Sequence, residues 1–525
     1  MTIYGKSRIE FSLIPEGLRM KKYRHIIQAA LIVTFLLLYS SNTTQASEPN
    51  WPQFRGPGGL GIAPDNQAYP AELDPSKNLL WKTEVPEGHS SPCIWADRVF
   101  ITASSDKNLE TICIDRRNGA IKWRKTVEPE KMEGITSTNS HASPTPACDG
   151  KRVYVYFGSF GLLAYDFDGQ ELWRKILPLP QIWHGSAASP IVADNKVIIN
   201  CDSQKDPYLL AVEASTGETI WKRERPIPKM PLGWSTPVLW RHAGEKELVV
   251  LGSQELISYK LEDGQERWRI ENMPTETAAT PVYTDETLYV TATALSHGDP
   301  VNPPEIPTFK ELLEDYDVNG DERLIRTEIP DDLAVLARIG SLRDLNTKTG
   351  GVKIGFERFD TDRDGAISEA EWETNRAAIQ EKFSHPGKTD MCLAISSGGS
   401  GDITKTHVQW KTREQIDQVT SPLYYRGRIY LVKYGGIISC FDAKNGDKKF
   451  SEKLGIRGYY YASPVAANGK IYVCPNRGMV IVVQAADEFK ILAQSNIGER
   501  IYATPALVDG NVYLRTDKHI YAFGE

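Results

Sequence analysis

A Ser/Thr-Pro step recurs along this chain, each time just before a short run rich in Val, Ile and Tyr. The prolines are Pro92, Pro144, Pro190, Pro237, Pro281, Pro422, Pro464 and Pro505. A repeat constrains a fold more than any single motif does, because each unit is one supersecondary element that cannot bury its apolar face alone. Successive spacings are 52, 46, 47, 44, 141, 42 and 41 residues. One spacing is anomalous. Subtracting one repeat from it leaves roughly 96 residues, the size of a small inserted domain.

Each unit has the same grammar. A strand follows the proline and ends at a turn, such as Ala96-Asp97, Asp149-Gly150, Asn468-Gly469 or Asp509-Gly510. A second strand follows (RVFITAS, RVYVYFG, KIYVCPN), and a third runs into a Gly turn (ICIDRRNG, ISCFDAKNG). A fourth often carries Trp beside a basic residue: Trp123, Trp173, Trp221, Trp268 and Trp410, with Phe450 and Ile491 in the equivalent place later. Alternating Val, Ile and Tyr fit half-buried strands. Four strands at this period indicate propeller blades. The last unit stops after three strands, at HIYAFGE, while an orphan strand around Trp81 precedes the first unit. Pairing the two completes an eighth blade and removes the open sheet edges that a stacked solenoid would leave. The expected fold is therefore mainly β, an eight-bladed β-propeller.

The Asp/Glu-x-x-x-Gly turn followed by Trp, as in Asp115, Gly119 and Trp123, resembles the PQQ-like (quinoprotein-type) propeller repeat. The leader Trp51-Pro-Gln-Phe-Arg-Gly-Pro57 resembles that of secreted bacterial members. The resemblance implies that the Trp docks between neighbouring blades. Bacterial outer-membrane assembly lipoproteins share this architecture, but their lipid-bearing Cys has no counterpart here.

Lys21, Lys22 and Arg24 precede the apolar run from Ile26 to Tyr39, and Thr44-Gln45-Ala46 follow it. This is the pattern of a secretory signal, expected over residues 1–46 with cleavage near Ala46 and the true start at Met20. The run is too short for a confident membrane span. A periplasmic or secreted location follows, with no stable span after cleavage. Net charge is −7, which gives no electrostatic support for nucleic-acid binding. The seven cysteines are scattered, odd in number and partly inside apolar runs. They read as small buried hydrophobes rather than a disulfide framework.

The anomalous spacing interrupts the turn between the second and third strands of blade five, between TLYVTAT and MCLAIS. The boundaries are drawn as 47–295 for the leader and first blades, 296–390 for the insert, and 391–525 for the remainder. Inside the insert, Phe309, Leu312, Leu313 and Tyr316 share one helical face. Then Asp360-Thr-Asp362-Arg-Asp364-Gly365-Ala366-Ile367-Ser368-Glu-Ala-Glu371 matches the EF-hand loop at its diagnostic positions. A hard cation needs oxygens around it: carboxylates from Asp360, Asp362 and Asp364, the Ala366 carbonyl, Ser368 directly or through water, and both oxygens of Glu371. Gly365 permits the sharp turn. Trp372, Ile379 and Phe383 give the exit helix an apolar side. A second loop is weaker. Framed from Asp315 it puts Arg326 at the bidentate position; framed from Asp317 it offers Asp317, Asn319, Asp321, the Arg323 carbonyl and Glu328. In that frame Glu322 replaces the turn Gly and Ile325 offers no side-chain oxygen. The pair resembles an EF-hand lobe, and calcium is the expected ion. Extracellular modules of this kind bind at about 10⁻⁴–10⁻³ M.

Quinoprotein dehydrogenases use this fold with PQQ and calcium on the propeller axis. Their vicinal Cys-Cys has no counterpart here, and no catalytic constellation emerges, so the sequence argues against bound PQQ. His89, His141 and His184 lie shortly before Ser-Pro steps of consecutive blades, and Tyr459, Tyr460 and Tyr502 sit similarly later. They line the expected channel mouth as polar lining or as a ligand site. The chain reads as a non-catalytic, calcium-binding scaffold for an unknown protein or small-molecule ligand at that mouth. The alternative is a PQQ- and calcium-dependent alcohol or sugar dehydrogenase with an atypical site.

Overall fold

The structure is a computed structural model. It describes residues 50–227, 233–274, 277–293, 308–329, 334–335, 352–353, 356–384, 391–412, 419–433, 435–456 and 458–525. The expected signal at 1–46 lies outside the described residues. No helix among the described residues is long and apolar enough to cross a membrane.

Eight antiparallel four-stranded sheets form the blades of a propeller, one of them with a short fifth strand. The closing blade pairs the N-terminal strand Leu79–Glu84 with the C-terminal strand His519–Phe523, Trp81 facing Ala522. Closure of this kind leaves no terminal blade with an unpaired edge facing a neighbour.

The repeated Ser/Thr-Pro step has a physical cause. In seven of the eight blades the residue before the proline that opens the innermost strand donates its backbone N–H to the hydroxyl of its counterpart in the next blade. The steps are Ser91 to Thr145, Thr145 to Ser189, Ser189 to Thr236, Thr280 to Ser421, Ser421 to Ser463, Ser463 to Thr504 and Thr504 back to Ser91, all at 2.9–3.0 Å. A hydroxyl at this position is thus an acceptor for an otherwise orphaned buried N–H. In blade two the working step is Thr145-Pro146, two residues beyond the Ser143-Pro144 that the spacing singles out.

The outer strands supply a second tie. Trp81, Trp123, Trp173, Trp221 and Trp410 each donate Nε1–H to a backbone carbonyl of the following blade, at 2.8–3.1 Å. Each indole lies on that blade's turn glycine, where a Cβ on Gly119, Gly169, Gly217, Gly264 or Gly446 would come within 2.8 Å of ring carbons. The Gly turn and the Trp are therefore one device: the missing side chain makes the shelf on which the ring rests.

Both devices lapse between blades four and five. The Thr236-to-Thr280 step is absent, and Thr280 Oγ1 is buried without a partner among the described residues. Trp268 instead donates to Glu247 Oε2 at 2.6 Å inside its own blade. Ser235 Oγ donates to Ala279 O at 2.9 Å, and Gly401–Asp402 of blade five adds a parallel strand to Trp268 and Arg269. Blade five is also the blade that is interrupted. It pairs Thr287–Ala292 with Met391–Ser396, so that Ala292 faces Met391 at the sheet end where the innermost strand begins.

The leader crosses the innermost strands. Trp51 and Ile94 exchange backbone hydrogen bonds at 2.8 and 2.7 Å, Cys148 N donates to Pro52 O at 2.7 Å, and Gly61 and Ala63 bracket Ala466. Arg55 is fully buried, with Nη2 donating to Pro422 O at 2.7 Å.

Candidate metal centre

The chain between Ala292 and Met391 holds a helix at Phe309–Tyr316, short helical residues Phe356–Phe359 and a helix at Glu369–Ser384. The first helix begins with a capping box: Thr308 Oγ1 accepts from Glu311 N, and Glu311 Oε2 accepts from Thr308 N. Phe309, Leu312, Leu324, Ile329, Phe356, Phe359, Ile367 and Trp372 form a core of their own, with Leu313 and Tyr316 against it. The helical spacing of the first four apolar positions is thus explained by a local core. The side chains of Ile379 and Phe383 lie outside the described residues. Glu373 Oε1 accepts from Phe309 N at 3.0 Å and ties the last helix to the first.

Two acidic loops face each other across a short antiparallel ribbon, Leu324 opposite Ile367 and Ile325 opposite Ala366. The second loop starts at Asp360. Carboxylate oxygens of Asp360, Asp362 and Asp364 all lie within 4.8 Å of one another, the one such ligand cluster among the described residues. Asp360 is 7% exposed; its Oδ2 accepts from Gly365 N at 3.1 Å, while Oδ1 is buried with no donor among the described residues. Glu371 reaches back over the loop: Oε1 accepts from Thr361 N and Asp362 N, and Oε2 from Ser368 N and Oγ at 2.9 and 2.8 Å. Burial pushes the Glu371 carboxyl up, but the hydrogen bonds from Ser368, Asp362 and Thr361 outweigh it and hold it down at about 2.

The first loop is wired alike. Glu328 Oε1 accepts from Val318 N and Asn319 N at 3.2 and 3.3 Å, and Oε2 from Ile325 N at 3.0 Å. Asp317 Oδ2 accepts from Glu322 N at 3.1 Å, the equivalent of the Asp360–Gly365 contact. Asn319 Oδ1 accepts from Asp321 N, and Asp321 Oδ1 from Arg323 N. Glu322 sits at φ 59 where the second loop has Gly365 at φ 92. The Arg323 side chain crosses to the other loop and pairs with Asp364 Oδ2, which holds that carboxyl low.

Converging carboxylates repel one another unless a cation lies among them, and a buried oxygen without a donor is costly. The Asp360–Asp362–Asp364 arrangement and the orphaned Asp360 Oδ1 therefore fit a hard cation with oxygen ligands.

The histidines do not converge. His89 stacks on Tyr502 with ring centroids 4.0 Å apart, and burial followed by the Arg515 charge pushes it down to about 3. His184 accepts from or donates to Thr136 Oγ1 at 2.8 Å and packs on Trp183 and Trp234. Burial lowers both His184 and His141. Tyr460 belongs to the core between blades six and seven, its OH donating to Ile456 O at 2.7 Å. Tyr461 takes its place in a stack Tyr459–Tyr461–Tyr502–His89. Period-two alternation, which puts 459 and 461 on one side, was the available signal. Glu133 carried none. It is 4% exposed, accepts from Ser186 N and Oγ at 2.9 Å, and burial pushes it up to about 7.

Ring closure, the Ser/Thr belt and the Trp-on-Gly docking define a closed eight-bladed β-propeller. The family model described as outer membrane protein assembly factor BamB matches residues 71–226 and 205–299. Among solved structures, BamB from Moraxella catarrhalis superposes with a TM-score of 0.50 at 13% identity, covering 85% of this chain and 98% of that one. The computationally designed Ika8 protein gives 0.50 at 9% identity, over 85% and 100%. Quinohemoprotein alcohol dehydrogenase from Comamonas testosteroni gives 0.49 at 14% identity, over 91% and 81%. No curated protein matches the chain.

Proposed function

We propose that this chain is an exported, non-catalytic propeller scaffold whose blade-five insert is an EF-hand pair that binds calcium. The observation that carries the reading is the cluster of Asp360, Asp362 and Asp364 oxygens around the buried, donor-free Asp360 Oδ1. Asp360, Asp362, Asp364, the Ala366 carbonyl, Ser368 and Glu371 hold the ion in the stronger loop. Asp317, Asn319, Asp321, the Arg323 carbonyl and Glu328 serve the weaker one. Calcium supplies a charge that cancels the carboxylate repulsion and so stabilises the folded insert by mass action. The insert leaves blade five at the sheet end where the innermost strand begins, so an ordered insert stands beside the channel mouth. A protein or small-molecule ligand is received there; the match to an assembly-factor family favours a protein. Export to the periplasm or beyond accords with the basic-then-apolar N-terminus.

Calorimetric titration of the mature chain with calcium, repeated on Glu371→Gln, tests the reading. Heat of binding and a raised Tm in the parent, largely lost in the variant, are expected; a parent that ignores calcium overturns it. Dye-linked alcohol or sugar oxidation after addition of PQQ and calcium tests the dehydrogenase alternative, and turnover would replace the scaffold reading.

A further inference from the structure

Cys93 opens the innermost strand of blade one (Cys93–Trp95), and Cys148 closes that of blade two (Ala147–Cys148). Their Sγ atoms lie 3.2 Å apart across the seam, both side chains buried. No other pair of cysteines makes such a contact among the described residues. The same two repeat positions at other seams hold no sulfur: they are aliphatic pairs, such as Ala147 with Val192, Ile191 with Leu239, and Leu423 with Ala466, or an aliphatic with Tyr, as Val238 with Tyr283 and Val282 with Tyr424. Sulfur stands at both positions only here.

The backbones on both sides are fixed. The leader pairs Trp51 with Ile94 and offers Pro52 O to Cys148 N, and Ser91 N donates to Thr145 Oγ1 at 2.9 Å. A disulfide needs about 2.05 Å between sulfurs, so closure asks the two Sγ atoms to approach by roughly 1.2 Å.

We propose that Cys93 and Cys148 are an oxidisable pair that forms an inter-blade disulfide, stapling blade one to blade two beneath the leader. The oxidant is a small-molecule or protein disulfide, such as oxidised glutathione. One cysteine thiolate attacks a sulfur of the oxidant, forming a mixed disulfide and releasing one glutathione thiolate. The second cysteine thiolate then attacks the protein sulfur of that mixed disulfide and releases the other glutathione thiolate. The protein loses two electrons and two protons, and the oxidant leaves as two thiols. Burial, and then the Cys93 sulfur beside it, pushes the Cys148 thiol well above its ordinary value. Attack inside the closed seam is therefore suppressed, and the bond forms while the ring is still assembling.

The test refolds the full chain from its reduced, denatured state in a mixture of reduced and oxidised glutathione. Thiols are then counted in denaturant and disulfide-linked peptides are mapped. The expected result is loss of two of the seven thiols, with a peptide joining Cys93 to Cys148. Reduction should then lower Tm by about 2–5 °C. Cys93→Ala refolded in the same way should keep every remaining thiol free. Seven free thiols in the parent, or a link between other cysteines, would overturn the proposal. If Cys93→Ala does not refold, the parent's peptide map decides alone.

Discussion

The two acidic loops of the insert trace the same backbone path with different chemistry. Both place a left-handed residue at the fourth and sixth positions: Gly320 and Glu322 in one, Arg363 and Gly365 in the other. Both close with a glutamate that gathers the same three backbone N–H groups. They part at the first position, where Asp360 is buried with a donor-free oxygen while Asp317 is half-buried and gives both oxygens to Gly320 N and Glu322 N. They part again at the ninth, where Ser368 has a hydroxyl and Ile325 has none. The comparison teaches that hydrogen-bond wiring alone shapes such a loop. What separates a strong cation site from a weak one is how many oxygens are left over after that wiring is satisfied.

The sharpest way to break the comparison is to remove the closing glutamate from each loop in turn. Glu371→Gln removes one charge from the stronger loop and should weaken calcium binding there by at least ~100-fold, which calorimetry reads as loss of the tighter phase. Glu328→Gln should leave that phase in place and abolish only a weaker one. Equal losses from both variants would show that the loops are equivalent. Next in size is Asp360→Asn against Asp317→Asn. The first should cost ~10-fold or more in affinity, because it alters the oxygen left without a donor. The second should cost less, since the Asp317 carboxylate is already engaged by backbone donors.

Much of this was legible in the sequence. Ring closure followed from an orphan strand around Trp81 and a three-stranded last unit, because a blade lacking a strand must find one. The gathering of the Asp360, Asp362 and Asp364 carboxylates was legible because alternate acidic residues leading into Gly365 are themselves a sequence pattern. Tyr461, not Tyr460, joins Tyr459 and Tyr502 in the stack, as period-two alternation from Tyr459 allows; residue type alone cannot choose between two adjacent tyrosines. The belt between Thr236 and Thr280 and its failure were not legible: both carry the Thr-Pro step, and only the tertiary register decides whether their N–H and hydroxyl meet. The contact of Cys93 with Cys148 is illegible for the same reason, since 55 residues separate them in the chain.

Arg323 sharpens the comparison from the other side. Its carbonyl belongs to the first loop, and its guanidinium pairs with Asp364 of the second. It therefore lowers the net negative charge offered by the stronger loop. Arg323→Gln should tighten calcium binding at that loop by about 3- to 10-fold at low salt, and by less at high salt, because the pair is exposed and screened. Unchanged affinity at low salt would show that the ion pair is bystander geometry.

The smallest effect is expected at Glu322. Its φ of 59 places a side chain in the left-handed region, which costs an L-residue roughly 1–2 kcal/mol. Glu322→Gly relieves that strain but gives the unfolded chain more freedom, a loss of roughly 0.5–1 kcal/mol. The net gain is at most about 1.5 kcal/mol, confined to the first loop. A cation also prefers this turn relaxed, so the weaker binding phase should tighten about two- to fivefold while the phase assigned to Asp360–Glu371 stays put. If Gly at this position instead left the weaker phase unchanged, the deficit of the first loop would lie in its missing ninth-position oxygen. Ile325→Ser would then be the substitution that brings the two loops level.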